Sequence, residues 1–307
     1  MLTRYRVHDS AFEELQDEGA NLVVCVSPTD AERTYLVGKL GIDEHTLQSA
    51  MDPDEISRLE LEPDHVAMIF KRPKNYSAED QYVFKVSSMG FFLFPERLVI
   101  VAPPDFVLRE GKQLAKVRTL HDLVLRTIER TISHYLGHLR VITMVADSLE
   151  KKINRAMENR YLLNLFSLEK GIVYYQNAIH GNGVVIDKLR NAASKIGFSQ
   201  ENLELLEDLA IENQQCYKQT EIYSTIFASL MDARASIVSN NLNQLFKLLN
   251  IVTIAIMVPT FVVSVFSMNV RIPLEERPGA FWIILGLSAL ASGVFLLAWW
   301  WSSRRSR

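Results

Sequence analysis

The chain has 307 residues, 48% of them apolar, and a formal charge of -3. That much apolar material excludes a disordered or fibrous chain and suffices for more than one structural unit. A charge so near neutrality, with no basic run interleaved with aromatics, excludes a nucleic-acid face and identifies no partner.

The opening MLTRYRVHDSAFEE places charged and polar residues where a signal peptide needs a continuous apolar stretch, so the first domain is expected in the cytoplasm. Residues 22–26 (LVVCV), 65–70 (HVAMIF), 89–94 (MGFFLF) and 98–102 (LVIVA) are short apolar runs between polar or turn-forming groups, which predicts strands of one sheet. Residues 30–40 and 44–50 read as helices between them, and Pro53 sets up another beginning at Asp54. Residues 1–110 thus read as an α/β domain. Cys25 and Cys216 follow no disulfide spacing pattern and are expected to be free thiols.

Pro103, Pro104 and the polar stretch around Gly111 interrupt this pattern, and residues 111–200 read as a helical region. Leu, Ile, Val and Tyr recur at helical spacing from 113 to 180, which predicts one long helix or two stacked ones. Gly181-Asn182-Gly183 predicts a turn, and Gly197-Phe198-Ser199 predicts another, with Ser199 placed to cap the next helix. From Glu201 to Val265 no Gly occurs and Pro259 is the lone proline. One continuous helix is therefore predicted, about 98 Å long at about 1.5 Å per residue, with 201–247 as a stalk.

Residues 248–270 and 280–301 contain no Asp, Glu, Lys, Arg or His, and each is long enough to cross a hydrocarbon layer of about 30 Å as a helix. The loop 271–279 would be extracytoplasmic and 302–307 a basic cytoplasmic tail. Lys247 precedes the first span and Arg304, Arg305 and Arg307 follow the second, whereas the loop carries Arg271 and Arg277, a bias that places both termini in the cytoplasm.

From Asn243 into the first span Asn243, Asn250, Thr253, Thr260, Ser264 and Ser267 recur with gaps of seven, three, seven, four and three residues, and Met257 divides the second gap of seven into four and three, a pattern that fits one helical face. One helix cannot surround an aqueous path, but several copies of this face could meet around an axis. The same groups also join membrane helices to one another, and the pattern leaves both uses open. In the second span Ala289 and Gly293 form a small-residue pair, and Trp299, Trp300 and Trp301 suit an interface, so it reads as an outer supporting helix. His134 and His138 share a helical face without a third ligand, and neither a phosphate-binding glycine loop nor a nucleophilic triad is present. The chain is expected not to be an enzyme and to carry no cofactor.

With MVPTFVVSVFSMNV at 257–270, then a short loop and a terminal hydrophobic helix, the chain resembles the CorA-type divalent-cation transporter family, the two-transmembrane Gly-Met-Asn family. DPDEISRLELE at 52–62 is similar to the family's acidic, arginine-containing helix and turn. The family pattern Tyr-Gly-Met-Asn stands here as Phe266-Ser267-Met268-Asn269. The resemblance implies a funnel-shaped homopentamer in a bacterial inner membrane, with the first span lining a pore and the second outside it. Its substrate would be magnesium, with cobalt, nickel or zinc as further cations.

By the same resemblance Asn269 would hold a hydrated cation at the outer mouth, beside Ser267 and Met268. Thr260 would be a polar contact, Met257, Leu249 and Phe246 hydrophobic constrictions, and Asn243 a polar ring at the cytoplasmic end; Asn250, Thr253 and Ser264 complete the pore-lining set. Asp208 and Asp232 match acidic stalk positions where regulatory divalent ions bind. The alternative is a membrane-anchored regulatory or scaffold protein of the same architecture that has lost conduction. Ser267 in place of glycine motivates it, as does Arg271 where the family usually has an early glutamate, although Glu275 and Glu276 follow.

Overall fold

The computed structural model describes residues 1–8, 11–15, 19–76, 82–108, 117–156, 159–268 and 278–305. Asn269, Arg271, Glu275, Glu276 and Arg277, and the break expected around Gly111, lie outside them. The chain divides into two units, Met1–Leu230 and Met231–Arg307.

The first unit is built on a sheet with strands β1 (Leu2–His8), β2 (Ala11–Leu15), β3 (Leu22–Val26), β4 (Arg58–Leu61), β5 (Val66–Pro73), β6 (Val86–Leu93) and β7 (Leu98–Ala102), in the order β2-β1-β3-β7-β6-β5-β4. Only β3 and β7 pair in parallel; the other neighbours are antiparallel. Every residue of β7 is buried, as in a strand covered on both faces, which is why it is uniformly apolar. The four expected strands are the central ones. The β1–β2 hairpin escapes an apolar-run test because it is held by ladder bonds and cross-strand charge, with Arg6 directly opposite Glu13.

Helices α1 (Asp30–Gly38) and α2 (Glu44–Met51) start where the sequence supplies caps. Thr29 and Glu32 form a reciprocal capping box, and Asp43 accepts from the backbone N–H of Thr46 at 2.9 Å. Their apolar sides close a core in which Leu36, Ile42, Leu47 and Ala50 meet Val23, Cys25, Phe92, Val99 and Val101. At Gly90 a Cβ would stand 2.5 Å from the Ala50 Cβ, so the absence of a side chain lets α2 lie directly on β6.

Two expectations are corrected here. The helix expected from Asp54 does not form: Asp52 accepts the backbone N–H of Asp54 at 2.9 Å in a turn, and Arg58–Leu61 pairs with β5 as β4. Nor is there a turn at Gly181-Asn182-Gly183, because α3 (Leu120–Ala156) is followed by α4 (Asn159–Asn191), which runs straight through it. A Cβ at Gly181 would lie 3.2 Å from Ser57 Oγ, and one at Gly183 3.0 Å from Asn213 Nδ2. The glycines thus permit close packing of a helix. Asn182, fully buried, uses that proximity: its Oδ1 accepts from the Lys71 backbone N–H and from Ser57 Oγ, both at 2.9 Å, and its Nδ2 donates to the Lys71 carbonyl at 2.7 Å.

The short α5 (Ala193–Ile196) ends at Gly197, whose φ of 86° reverses the chain in the left-handed region. Ser199 then accepts from the Asn202 N–H at 3.2 Å while Asn202 Oδ1 accepts from the Ser199 N–H at 3.1 Å. From this reciprocal cap α6 (Gln200–Val265) runs unbroken through Pro259. Its first part buries Leu206, Leu209, Asn213, Cys216 and Phe227 in the first unit. The second unit comprises the rest of α6 and α7 (Ala280–Arg305). Cys25 and Cys216 are both buried free thiols, and burial pushes them up to about 11 and about 12.

Candidate functional site

In the second unit α6 and α7 each carry an apolar stretch long enough to cross a membrane, and none of the α6 stretch is buried within the chain. Exposed apolar surface of that extent needs lipid or another protein surface against it. At 3.6 residues per turn, Asn243, Phe246, Leu249, Asn250, Thr253, Met257, Thr260 and Ser264 fall within an arc of roughly 120°. All of these side chains are exposed in the single chain. Leu248 and Val252, outside that arc, face elsewhere and are equally uncovered.

Two hydroxyls of this face have a fixed polarity. Thr253 Oγ1 donates to the Leu249 carbonyl at 2.8 Å and Thr260 Oγ1 to the Ile256 carbonyl at 2.7 Å. With the proton engaged inside the helix, each oxygen has lone pairs left for an outside group and no donor to offer. These two positions are therefore acceptors, suited to a cation or the outward hydrogens of its hydration water, while Asn243 and Asn250 on the same face add amide oxygens together with N–H donors. Pro259 contributes no N–H to the helix and leaves the Ala255 carbonyl without its usual partner, on the side away from the stripe.

Past the end of α6, Ser267 turns back on the helix: its N–H and its Oγ both donate to the Ser264 carbonyl, at 3.2 and 3.1 Å. Met268 is exposed beside it. At the far end of α7 the Arg304 guanidinium lies 4.0 Å from the centre of the Trp300 ring, a cation–π contact typical of a chain end at an interface.

The acidic stalk positions fall in different units. Asp232 is exposed in the second. Asp208 is exposed in the first, close to Glu212, whose carboxyl is raised above its usual range by burial and by the neighbouring Glu129 and Asp208. Glu212 stands one turn on from Asp208 along α6, and Glu129, on α3, is the neighbour that spacing along α6 alone could not supply. Among the described residues no three His, Cys, Asp or Glu side chains are close enough together to hold a metal ion.

His134 and His138 meet edge to face in the first unit, ring centres 4.4 Å apart, and His138 Nδ1 lies 2.6 Å from the Tyr175 hydroxyl. Burial, with Arg72 nearby, lowers both imidazoles to about 4. They are neutral packing groups between α3 and α4.

Comparison with known proteins bears on all of these features. A family model described as CorA-like Mg2+ transporter protein matches residues 17–304. The cobalt/magnesium transport protein CorA of Methanocaldococcus jannaschii is 26% identical over 285 residues, covering 89% of this chain and 87% of that protein. The protein of the same description from Thermotoga maritima is 21% identical over 262 residues, covering 82% and 74%. In three dimensions the complete structure of the CorA magnesium transporter from Methanocaldococcus jannaschii superposes with a TM-score of 0.79 at 22% identity, covering 97% of this chain and 96% of that one, which establishes a shared fold.

Proposed function

This chain belongs to the CorA-like Mg2+ transporter family, and from that membership we propose how its own residues carry a divalent cation across the membrane in which its two apolar helices sit. It is a divalent-cation transporter and not an enzyme. Magnesium is the proposed physiological cation, with cobalt, nickel and zinc as competitors, in a bacterial inner membrane with both termini cytoplasmic.

The observation that carries the proposal is the polar face of α6, on which Thr253 and Thr260 present oxygen as acceptors. A single helix leaves it open, and in lipid its amides and hydroxyls would be unsolvated. Five copies around an axis, the number the family resemblance implies, would enclose it as a water-filled path with α7 toward lipid. Magnesium gives up its first hydration layer reluctantly, so neutral oxygens that accept from coordinated water can guide the hydrated ion without trapping it. Thr260, Thr253, Asn250, Asn243 and Ser264 would supply those oxygens. Met257, Leu249 and Phe246, on the same face, would form apolar rings able to close the path by expelling water. Asn269, with Ser267 and Met268, would form the outer ring that admits the hydrated ion, and Asp208 and Asp232 would bind divalent ions that regulate opening.

The decisive test is magnesium influx into dye-loaded liposomes by Asn269→Ala, which removes one carbonyl acceptor and two amide donors from every subunit. We expect flux at least tenfold lower with the oligomer intact, and no rescue on adding Ser267→Gly, because backbone freedom cannot replace the missing oxygen. An assembled Asn269→Ala protein with wild-type flux and selectivity would refute the filter role. Wild-type protein that assembles but passes no divalent ion would favour the scaffold alternative.

A further inference from the structure

At the carboxyl end of the polar stripe, one side chain decides which oxygens α6 presents. An α-helix leaves its last four carbonyls without partners inside the helix, and here those belong to Val262, Val263, Ser264 and Val265. At about 100° per residue, Ser264 alone of the four stands within the arc that holds the stripe, and the three valines point elsewhere. Unpaired carbonyls are also where the helix concentrates its partial negative charge, so this end of α6 draws cations.

The Ser264 carbonyl is doubly engaged. The Ser267 backbone N–H donates to it at 3.2 Å and the Ser267 hydroxyl at 3.1 Å. A carbonyl oxygen has two lone pairs, so these two donors occupy it fully. Nor does the backbone ask for glycine at this turn: Ser27 and Tyr82 are the non-glycine residues with positive φ among those described, and Ser267 is not one of them. Alanine at 267 would therefore keep the turn and its N–H bond and lose the hydroxyl bond alone.

Resting on the transport reading above, we propose that Ser267 is a positioning residue that tunes how firmly the carboxyl end of α6 holds a divalent cation. Its hydroxyl withdraws the stripe-facing Ser264 carbonyl from the ion and leaves its own oxygen, with the proton spent, in that place. A hydroxyl dipole is smaller than a peptide dipole, so the exchange weakens the attraction. An assembly repeats it in every subunit. The gain is in release, because conduction needs a site that an ion can enter and also leave.

The test is magnesium influx into dye-loaded liposomes over a range of magnesium concentrations, for wild type, Ser267→Ala and Ser267→Thr, each purified as the same oligomer. Ser267→Ala should lower the half-saturating concentration by roughly threefold or more, since a carbonyl is returned to the ion, and should lower the maximal rate because release slows. Ser267→Thr keeps a hydroxyl for the same bond and should match wild type in both. A residue that merely stabilised the helix end would alter yield or maximal rate and leave half-saturation where it was. An unchanged or higher half-saturating concentration in Ser267→Ala, or a Ser267→Thr protein that behaves as the alanine variant does, would overturn the proposal while leaving transport standing. Wild-type protein that passes no magnesium would remove the transport reading itself, and this inference with it.

Discussion

Single polar side chains set the chemistry of both units by where their hydrogen bonds are already committed. Thr253 and Thr260 have donated their protons to the preceding turn and can only accept, so these two positions of the stripe present oxygen whatever stands opposite. Asn182 is the reverse case, a side chain whose amide is used up inside the fold. It serves the backbone of β5 as a neighbouring strand would, and satisfies Ser57 besides. Asn182→Ala would leave a buried N–H, a carbonyl and a hydroxyl unpaired. We expect a loss of about 2–4 kcal/mol, read as a fall in the unfolding midpoint of the first unit. Asn182→Leu, with the same branching, should be no better, because packing is not what the position supplies. A midpoint unchanged in both variants would contradict the role given to this amide.

At the scale of elements, α3 and α4 are joined by a buried aromatic and imidazole cluster whose protonation state is set by burial. The folded chain holds His134 and His138 neutral down to about 4, against an ordinary value of 6.5. Between those values the unfolded chain binds more protons than the folded one, so the stability these groups contribute is complete above pH 6.5. It is lost progressively as pH falls toward 4. The two together amount to a few kcal/mol. Thermal unfolding of the full chain should show its midpoint falling over that window, and His134→Gln with His138→Gln should flatten the fall. A midpoint that does not move between pH 6.5 and 4 would show that these rings are solvated.

The α6 stalk makes a second prediction at this scale. Glu212 feels both Asp208, one turn away on α6, and Glu129 on α3. Bound magnesium would relieve that repulsion, so millimolar magnesium should protect the stalk from protease, and Asp208→Ala should weaken the protection. Equal protection in the variant would remove Asp208 from regulation.

For the whole molecule, the exposed apolar and acceptor surface of the second unit is the feature that a single chain leaves unanswered. Membrane lipid covers apolar side chains and offers nothing to the polar face, so we propose that assembly brings copies of that face together around water. Native mass measurement in mild detergents should find a homopentamer, and pore-facing substitutions such as Met257→Cys should crosslink between subunits while Leu285→Cys, on α7, should not. A stable monomer or dimer in several detergents, with no larger species, would count against the enclosed path.

Much of this protein is legible in order along the chain. Span length, the break-free run from Glu201 to Val265, the central apolar strands and the three-and-four stripe all follow from local composition and periodicity, which act over one or two turns of helix or one strand. The residues that the sequence misassigned are those whose conformation is decided by a partner far away. Gly181-Asn182-Gly183 has the composition of a turn and stays helical because Ser57, Lys71 and Asn213 occupy the space that side chains would take. Arg58–Leu61 follows a helix-starting proline and becomes a strand because β5 offers it a ladder. The same holds for Glu129 beside Glu212. Sequence by itself determined which segments are apolar enough to insert and which helices run long, since those depend on neighbours along the chain. Tertiary structure alone decided which polar groups meet, because a hydrogen bond or a charge pair depends on distances that only packing creates.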